Sequence, residues 1–226
     1  AGEKEAWAWF GSKHPSLARH LAAFEVAARK RQDKGEFWWE LRSCDYYSAL
    51  DAPKIIFPDI AKAPRFYPDS SGLYISNTAY CLGSGDLYLV GVLNSRLCWF
   101  AVSNIAIPFG MRAGEYRYRL FYQYMEKVPI RVLDPKIKPE KAQRDAVIAH
   151  VERMLKLHAD LATAKSPDAQ SHIQRDIAAT DRAIDQLVYQ LYDLTPEEIA
   201  LVEQATAAPA AKAAAAPEHD SPTAAP

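Results

Sequence analysis

The sequence predicts an α+β fold, a small mixed β-sheet with flanking helices followed by an antiparallel helical hairpin. Short apolar segments bounded by Pro and Gly recur within residues 36–133, as strands of a small sheet do. Beyond Pro139, two long segments carry apolar residues at helical spacing. The chain has 226 residues, of which 49% are hydrophobic, so it can build one medium domain with appendages.

Residues 1–35 are predicted to form an N-terminal helical segment. Pro15 is typical of a first helical turn and Gly35 of a helix end, so we expect one helix over residues 15–34. Its apolar positions are Leu17, Leu21, Phe24 and Val26. Its last turn contains Arg29-Lys30-Arg31, which the helix dipole stabilises, and phosphate contact is the alternative role.

Residues 36–133 form the predicted α+β core, and its first half contains two expected strands. Residues 54–57 are a compact apolar run that Pro58 ends. Residues 72–82 alternate and are rich in Tyr, Ile and Thr, which favours a second strand.

The second half of this core is predicted to contain one helix and a turn. Apolar residues at helical spacing predict a helix over residues 86–101, capped by the turn Gly83-Ser84-Gly85-Asp86. Ala113-Gly114-Glu115 predicts a turn that leads into residues 116–124. Pro129 makes residues 128–130 an extended exit.

The C-terminal part, residues 139–204, is predicted to be helical. Residues 139–164 and 169–192 form two helices separated by Ser166-Pro167, and the short connection makes them antiparallel. Thr195-Pro196-Glu197-Glu198 is a capping box that opens a short helix to about residue 204. Residues 205–226 are rich in Ala and Pro, which predicts a disordered tail.

Charge and cysteine content limit the possible partners and compartment. The net charge of −1 argues mildly against a nucleic-acid binder, but residues 29–131 contain 14 Lys and Arg against 10 Asp and Glu. Cys44, Cys81 and Cys98 are widely spaced, which favours free thiols in the cytoplasm. No apolar run predicts a membrane span or a secretion signal. The absence of an initial Met suggests a piece of a longer polypeptide, and removal of the Met is the alternative explanation.

The groups that catalysis usually needs are not grouped in this sequence. It has no GxGxxG, P-loop, HExxH or GxSxG motif. The histidines fall almost entirely on predicted helices or the tail, and Asp51, Asp59 and Asp69 are explained by turn chemistry beside prolines. We therefore expect no catalytic residue, no metal site and no cofactor bound by this chain itself.

Recognition chemistry is better represented, because Arg, Lys, Asn and Gln contact base edges and Tyr contacts phosphates. If residues 116–119 are extended, Arg117 and Arg119 share one face and the two tyrosines share the other. The alternative is that these tyrosines pack on the core and the arginines are ordinary solvated charges. The candidate DNA-binding residues are Lys54, Arg65, Asn77, Asn104, Arg112, Tyr116, Arg117, Arg119 and Gln123.

Five short motifs, with a sixth near the C-terminus, occur in an order and at intervals that resemble a known family. They are Trp38-Trp39-Glu40-Leu41-Arg42, Lys54-Ile55-Ile56-Phe57-Pro58-Asp59, Asn77-Thr78-x-Tyr80, Gly91-x-Leu93-Asn94-Ser95, Val128-Pro129-Ile130 and the ending Leu187 to Ile199. Together they resemble the TaqI-like C-terminal specificity domain of bacterial adenine-specific DNA methyltransferases. That domain is typical of type IIG restriction–modification enzymes and related phage-defence methylases. The similarity spans roughly residues 27–203.

The resemblance implies a target recognition domain over residues 36–133 that binds double-stranded DNA. In such enzymes this domain packs beside a methyltransferase domain of the same polypeptide, which binds S-adenosylmethionine and holds a flipped adenine with an Asn-Pro-Pro-Tyr motif. That motif and the PD-(D/E)xK nuclease set are both missing from this sequence. Methyl transfer would therefore reside upstream of Ala1.

Two other classes of function remain open from the sequence. A protein-interaction module could use the helical hairpin to set assembly without contacting DNA. Charge reversal at Arg117 and Arg119 would separate these roles, because recognition predicts lost DNA affinity and a scaffold predicts lost assembly. The third class is a small enzyme with an unrecognised site, although the sequence shows no nucleophile–base pair.

Overall fold

The computed structural model describes residues 2–43 and 46–207. The described residues contain ten helices and two antiparallel three-stranded sheets, which confirms the α+β class. The chain divides into two compact units, Ala1–Ser48 and Ala49–Pro226. Residues 36–48 thus lie in the first unit, whereas the sequence grouped them with the core that follows.

The first unit begins with three helices, α1 (Glu3–Lys13), α2 (Pro15–Ala22) and α3 (Glu25–Arg29). The prediction of one helix over residues 15–34 was therefore wrong. The chain turns at Ala23 and Phe24, where Phe24 has φ −109° and ψ 3° and caps α3. The apolar spacing continues across this turn, so the sequence pattern alone did not reveal the break.

An aromatic cluster forms the interior of the first unit. Trp38 is only 4% exposed, and its ring lies 4.8 Å from that of Trp7. Arg29 lies 5.7 Å above Trp38 and pairs with Glu3, and Arg31 donates to the carbonyl oxygens of Trp38 and Glu40. These two guanidinium groups are therefore engaged within the unit.

The boundary between the units, after Ser48, falls within α4 (Tyr47–Asp51). The second unit then continues into two sheets. The first sheet has the order β3–β1–β4 and the second has the order β2–β6–β5, all antiparallel. Two antiparallel sheets thus replace the single mixed sheet expected from the sequence. The strands are β1 (Lys54–Pro58), β2 (Ile60–Ala61), β3 (Tyr67–Asp69), β4 (Ala79–Leu82), β5 (Pro108–Arg112) and β6 (Glu115–Arg119).

The first sheet confirms one predicted strand and corrects the other. Strand β1 covers the predicted segment 54–57, but only Ala79–Leu82 of the predicted segment 72–82 is a strand. The central strand β1 is short, and its partners run from Ile55 opposite Leu82 to Pro58 opposite Ala79. Beyond Pro58 the chain enters β2 of the other sheet, so the ladder between β1 and β4 does not extend back past Ala79.

The predicted helix over residues 86–101 is two helices, α5 (Leu87–Asn94) and α6 (Arg96–Ile105). Asp86 caps α5 as expected, because its carboxylate accepts from Tyr88 N at 2.9 Å. Ser95 has extended backbone and its hydroxyl accepts from Cys98 N, which makes it the N-cap of α6. The Leu93-Asn94-Ser95 motif therefore lies where α5 ends and α6 begins, within the segment predicted as one helix.

The C-terminal helices agree closely with the sequence prediction. After the short α7 (Tyr122–Met125) and an extended segment around Pro129, α8 (Lys138–Thr163) and α9 (Pro167–Leu191) pack as a hairpin. Thr195 and Glu198 form the predicted capping box of α10 (Pro196–Thr206). Ala205 and Thr206 are helical rather than part of a tail, and residues 208–226 of the predicted tail lie outside the described residues.

Helix α5 lies at the centre of the second unit, with Val90, Val92 and Leu93 buried in its core. Gly91 allows α8 to approach closely, because a Cβ atom added there would lie 2.5 Å from Cγ1 of Val147. The contact between α5 and α8 therefore needs a residue without a side chain at position 91.

The start of α6 is joined to α9 by a buried carboxylate. Asp185 is 4% exposed, and it accepts from Arg96 N at 2.8 Å and lies 3.2 Å from Arg96 Nε. Burial raises the pKa of Asp185 to about 6, and the carboxylates of Asp181 and Glu203 add to the rise, while both contacts with Arg96 oppose it. The unit therefore contains an acid that resists ionisation.

Two further findings bear on the sequence expectations. None of the described helices combines the length and apolar character that crossing a membrane requires. Cys81 and Cys98 are free thiols, and burial raises the pKa of Cys98 to about 12. Cys44 lies outside the described residues.

Gly91→Ala should destabilise the protein by about 1–3 kcal/mol, because the new methyl group overpacks the contact with Val147. Urea denaturation measures the change. Gly83→Ala is the control, since a Cβ atom at Gly83 meets nothing within 4 Å. Val147→Ala should relieve part of the cost in the double variant, and strictly additive losses would contradict the close approach.

Asp185→Asn should change how stability depends on pH. Because the pKa of Asp185 is raised in the folded protein, its protonated form favours folding, so this contribution is present at low pH and is lost as pH rises through about 6. The difference in unfolding free energy between wild type and variant should shift by up to about 3 kcal/mol between pH 4 and 7. A constant difference across this range in urea titrations would refute the assignment.

Candidate nucleic-acid interface

Strands β5 and β6 form a hairpin that projects four of the candidate residues. They are joined by Ala113 and Gly114, with φ of 54° and 75°, so the connection is a two-residue turn of the type that suits twisted hairpins. The predicted turn is confirmed, and Met111 faces Tyr116 across the ladder. Strand β5 lies at the sheet edge and all five of its residues are exposed.

Strand β5 was not predicted from the sequence. Pro108 and Gly110 are poor strand residues, and the ladder is irregular between Pro108 and Met111. The signal that could have found it is the turn itself. A small residue followed by Gly, directly before an alternating Tyr/Arg segment, predicts a partner strand just upstream.

The two arginines of β6 lie on one face of the hairpin, as alternation predicted. Their guanidinium carbons lie 5.3 Å (Arg117) and 5.1 Å (Arg119) from the ring centre of Phe109, and Arg119 also lies 4.3 Å from that of Phe121. On the opposite face, Tyr118 makes an edge contact with Trp99 at 5.8 Å. Nε of Arg117 is buried and lacks a hydrogen-bond partner among the described residues.

Asp59 holds Arg119 and connects the two sheets. Its carboxylate accepts from Nε and Nη2 of Arg119 at 3.3 and 2.5 Å. Its backbone N–H donates to the carbonyl of Thr78 at 2.9 Å, and its carbonyl accepts from Leu120 N at 2.7 Å. The hydrogen bond with Asp59 raises the pKa of Arg119. The sequence analysis explained Asp59 by turn chemistry, and that explanation missed its ion pair with Arg119.

Four further candidates, Arg65, Asn77, Asn104 and Gln123, are exposed at different places on the second unit. Asn77 lies in the turn before β4, next to Thr78, so Asp59 links this turn to the hairpin. Arg65 lies between β2 and β3, and Gln123 lies on α7. Asn104 lies on α6, where its amide donates to Phe100 O at 2.7 Å and its side-chain oxygen remains an acceptor. The hairpin and the Asn77 turn are thus the parts that the fold brings together.

Lys54 must be removed from the candidate residues, because its side chain has no exposed surface. It pairs with Asp69 at 2.5 Å and donates to Leu50 O. This pair, together with bonds from Ser71 and Leu73, lowers the pKa of the Asp69 carboxyl. Lys54 begins the central strand of its sheet. Because its ammonium group is fully buried and paired with Asp69, it cannot reach a phosphate.

A groove of about 1410 Å³ lies on the other face of β6. Tyr116 and Tyr118 line it together with Trp99 of α6 and Ile177 of α9. Lys62 and Glu115 pair at 2.9 Å beside it. The two tyrosines of β6 therefore differ, because Tyr118 packs against Trp99 whereas Tyr116 is 54% exposed.

The site combines fixed hydrogen-bond donors with exposed aromatic rings, which suits recognition of a polyanion or of base edges. Within residues 2–43 and 46–207, no group of three or more His, Cys, Asp or Glu could hold a metal ion. No protein-family model matches the chain.

Lys54→Met should lower Tm at least roughly three times as much as Lys62→Met, because breaking a buried pair leaves an unpaired charge and a half-exposed pair contributes little. The two side chains of the Lys54 pair are 0% and 2% exposed, against 29% and 37% for the Lys62 pair. Calorimetry of both variants tests this. Equal losses would show that the Lys54 pair is not the buried anchor.

Proposed function

We propose that this chain is the DNA target-recognition portion of an adenine-N6 DNA methyltransferase of a type II restriction–modification system. The observation that carries the proposal is the β5–β6 hairpin, which gathers Arg112, Tyr116, Arg117 and Arg119 on one projecting ribbon. The major groove of B-DNA admits a two-stranded ribbon of this kind. The sequence resemblance described above supports the same class.

Local charge favours DNA at the hairpin although the whole chain is slightly acidic. Residues 108–119 contain three arginines and one glutamate. Glu115 is paired with Lys62, so its charge does not oppose a phosphate as strongly as an isolated carboxylate would. Arg112 is exposed at the end of β5 and is placed to contact the DNA backbone.

Base recognition is assigned to the Asn77 turn and to aromatic side chains of the ribbon itself. Asn77 is exposed beside Thr78, and an asparagine side chain matches the N6 and N7 edge of adenine. The aromatic rings of Phe109 and Tyr116 are 42% and 54% exposed and offer apolar contact with thymine methyl groups or sugars. Phosphate contacts would fix orientation, and these groups would supply sequence preference.

The chemistry of methyl transfer is proposed to lie in another domain of the same polypeptide. That domain would bind S-adenosylmethionine and receive the flipped adenine, as base-modifying enzymes require. This chain would bind duplex DNA beside it and select the site.

Arg112→Glu should weaken binding of the 226-residue chain to duplex DNA about tenfold at low salt, and should reduce the slope of log K against log salt by about 1. Fluorescence anisotropy at several salt concentrations measures both quantities. Arg112 is preferred to Arg117 and Arg119 for charge reversal, since those two are packed against Phe109 and their loss would disturb the hairpin.

Arg153→Glu is the matched control, because Arg153 is an exposed arginine on α8 that does not line the groove beside β6. It should leave affinity and salt slope unchanged. Absent or salt-independent binding, by both the 226-residue chain and the whole polypeptide that contains it, would refute DNA recognition. Lost self-association in Arg153→Glu with unchanged DNA binding in Arg112→Glu would favour the scaffold function of the helical hairpin.

A further inference from the structure

Arg119 is held on three sides by the structure. Its Nε and Nη2 face the carboxylate of Asp59, which occupies the side edge of the guanidinium group. The rings of Phe109 and Phe121 lie 5.1 and 4.3 Å from the guanidinium carbon. The side chain still keeps 32% of its surface exposed.

The hydrogen-bond donors of Arg119 are only partly used. A guanidinium group has five N–H donors, and Asp59 takes two of them. Three N–H groups remain: the second N–H of Nη2 and one N–H of Nη1 form the end edge of the group, and the other N–H of Nη1 points back toward Cδ. Two parallel donors on this edge match two adjacent acceptors of a planar partner.

We propose that Arg119 recognises a guanine in the target site through O6 and N7, with Asp59 as its positioning residue. The inference rests on the proposed DNA-recognition function. Guanine presents two acceptors in the major groove, whereas adenine presents an acceptor and a donor, so the end edge of Arg119 fits guanine and opposes adenine. The target site is thus expected to contain a G·C pair at the position facing Arg119.

The contacts with Asp59, Phe109 and Phe121 explain why Arg119 is favoured over Arg112 for this role. A flexible exposed arginine loses side-chain entropy when it binds, and this loss opposes binding to any base. Arg119 is ordered before DNA arrives, because two rings and one carboxylate restrict its rotation. Arg112 is exposed on an edge strand and is better suited to phosphate contact.

The experiment uses base analogues that change a single acceptor. Duplexes bound by the 226-residue chain are first selected from a randomised pool to obtain the preferred sequence. Each guanine in it is then replaced by 7-deazaguanine, which lacks the N7 acceptor, or by inosine, which keeps O6 and N7 and lacks only the minor-groove amine. Affinities are measured for wild type, Arg119→Lys and Asp59→Asn.

At one guanine, 7-deazaguanine should lower wild-type affinity about tenfold and inosine should leave it unchanged. Arg119→Lys should bind the unmodified duplex more weakly and lose severalfold less affinity than wild type with 7-deazaguanine at that position, because an ammonium group lacks the two parallel donors of the guanidinium end edge. Asp59→Asn keeps Arg119 but loosens it, so its loss with 7-deazaguanine should be severalfold smaller than that of wild type. A purely structural role for the pair would move affinity without changing this dependence on one base atom.

Three outcomes overturn the inference while leaving DNA recognition intact: a selected sequence without guanine, a wild-type chain insensitive to 7-deazaguanine at every position, or equal sensitivity in Arg119→Lys and wild type. If Arg119→Lys fails to fold, full wild-type sensitivity in Asp59→Asn overturns the positioning role and with it the proposal. Failure of the proposed function has a different signature, since no duplex would then be selected at all.

Discussion

The arrangement of the candidate interface depends on the hydrogen bonds of Asp59. This residue lies between strands of different sheets, and its backbone bonds reach Thr78 on one side and Leu120 on the other. Its carboxylate then binds Arg119 at the end of β6. Because one residue makes all these bonds, Asp59 fixes the position of the β5–β6 hairpin relative to the Asn77 turn. The Asp59 carboxylate is only 12% exposed, and its burial is tolerated because the guanidinium group of Arg119 compensates its charge.

The helices supply the rigid support behind this junction. Helix α6 carries Trp99, against which Tyr118 of the hairpin packs, and its first turn is tied to α9 through Asp185. Helix α5 in turn approaches α8 at Gly91. Contacts therefore run from the helical hairpin through α6 to the base of β6. A ribbon supported in this way holds its donors in place more firmly than an isolated loop does.

The longest elements were predictable because their signals are local. Helices α8 and α9 each carry apolar residues at helical spacing along most of their length, and the capping box at Thr195 identifies the start of α10. Breaks within periodic segments were not predictable, since the apolar spacing continues through Phe24 and through Ser95. Strand β5 was hidden for a different reason. Several of its own residues have low strand propensity, and it is a strand because it pairs with β6. Composition alone therefore did not indicate it.

The sequence by itself determined the fold class, the C-terminal helices, the turn at Gly114 and the alternation that places Arg117 and Arg119 on one face. Only the tertiary structure decided what each basic side chain does. Lys54 and Arg119 both lie in strands with apolar or aromatic neighbours, yet Lys54 is fully buried and Arg119 keeps part of its surface. Their carboxylate partners lie 15 and 60 residues away in sequence, at Asp69 and Asp59. Pairing over such separations depends on how the strands meet in space, which no local pattern encodes.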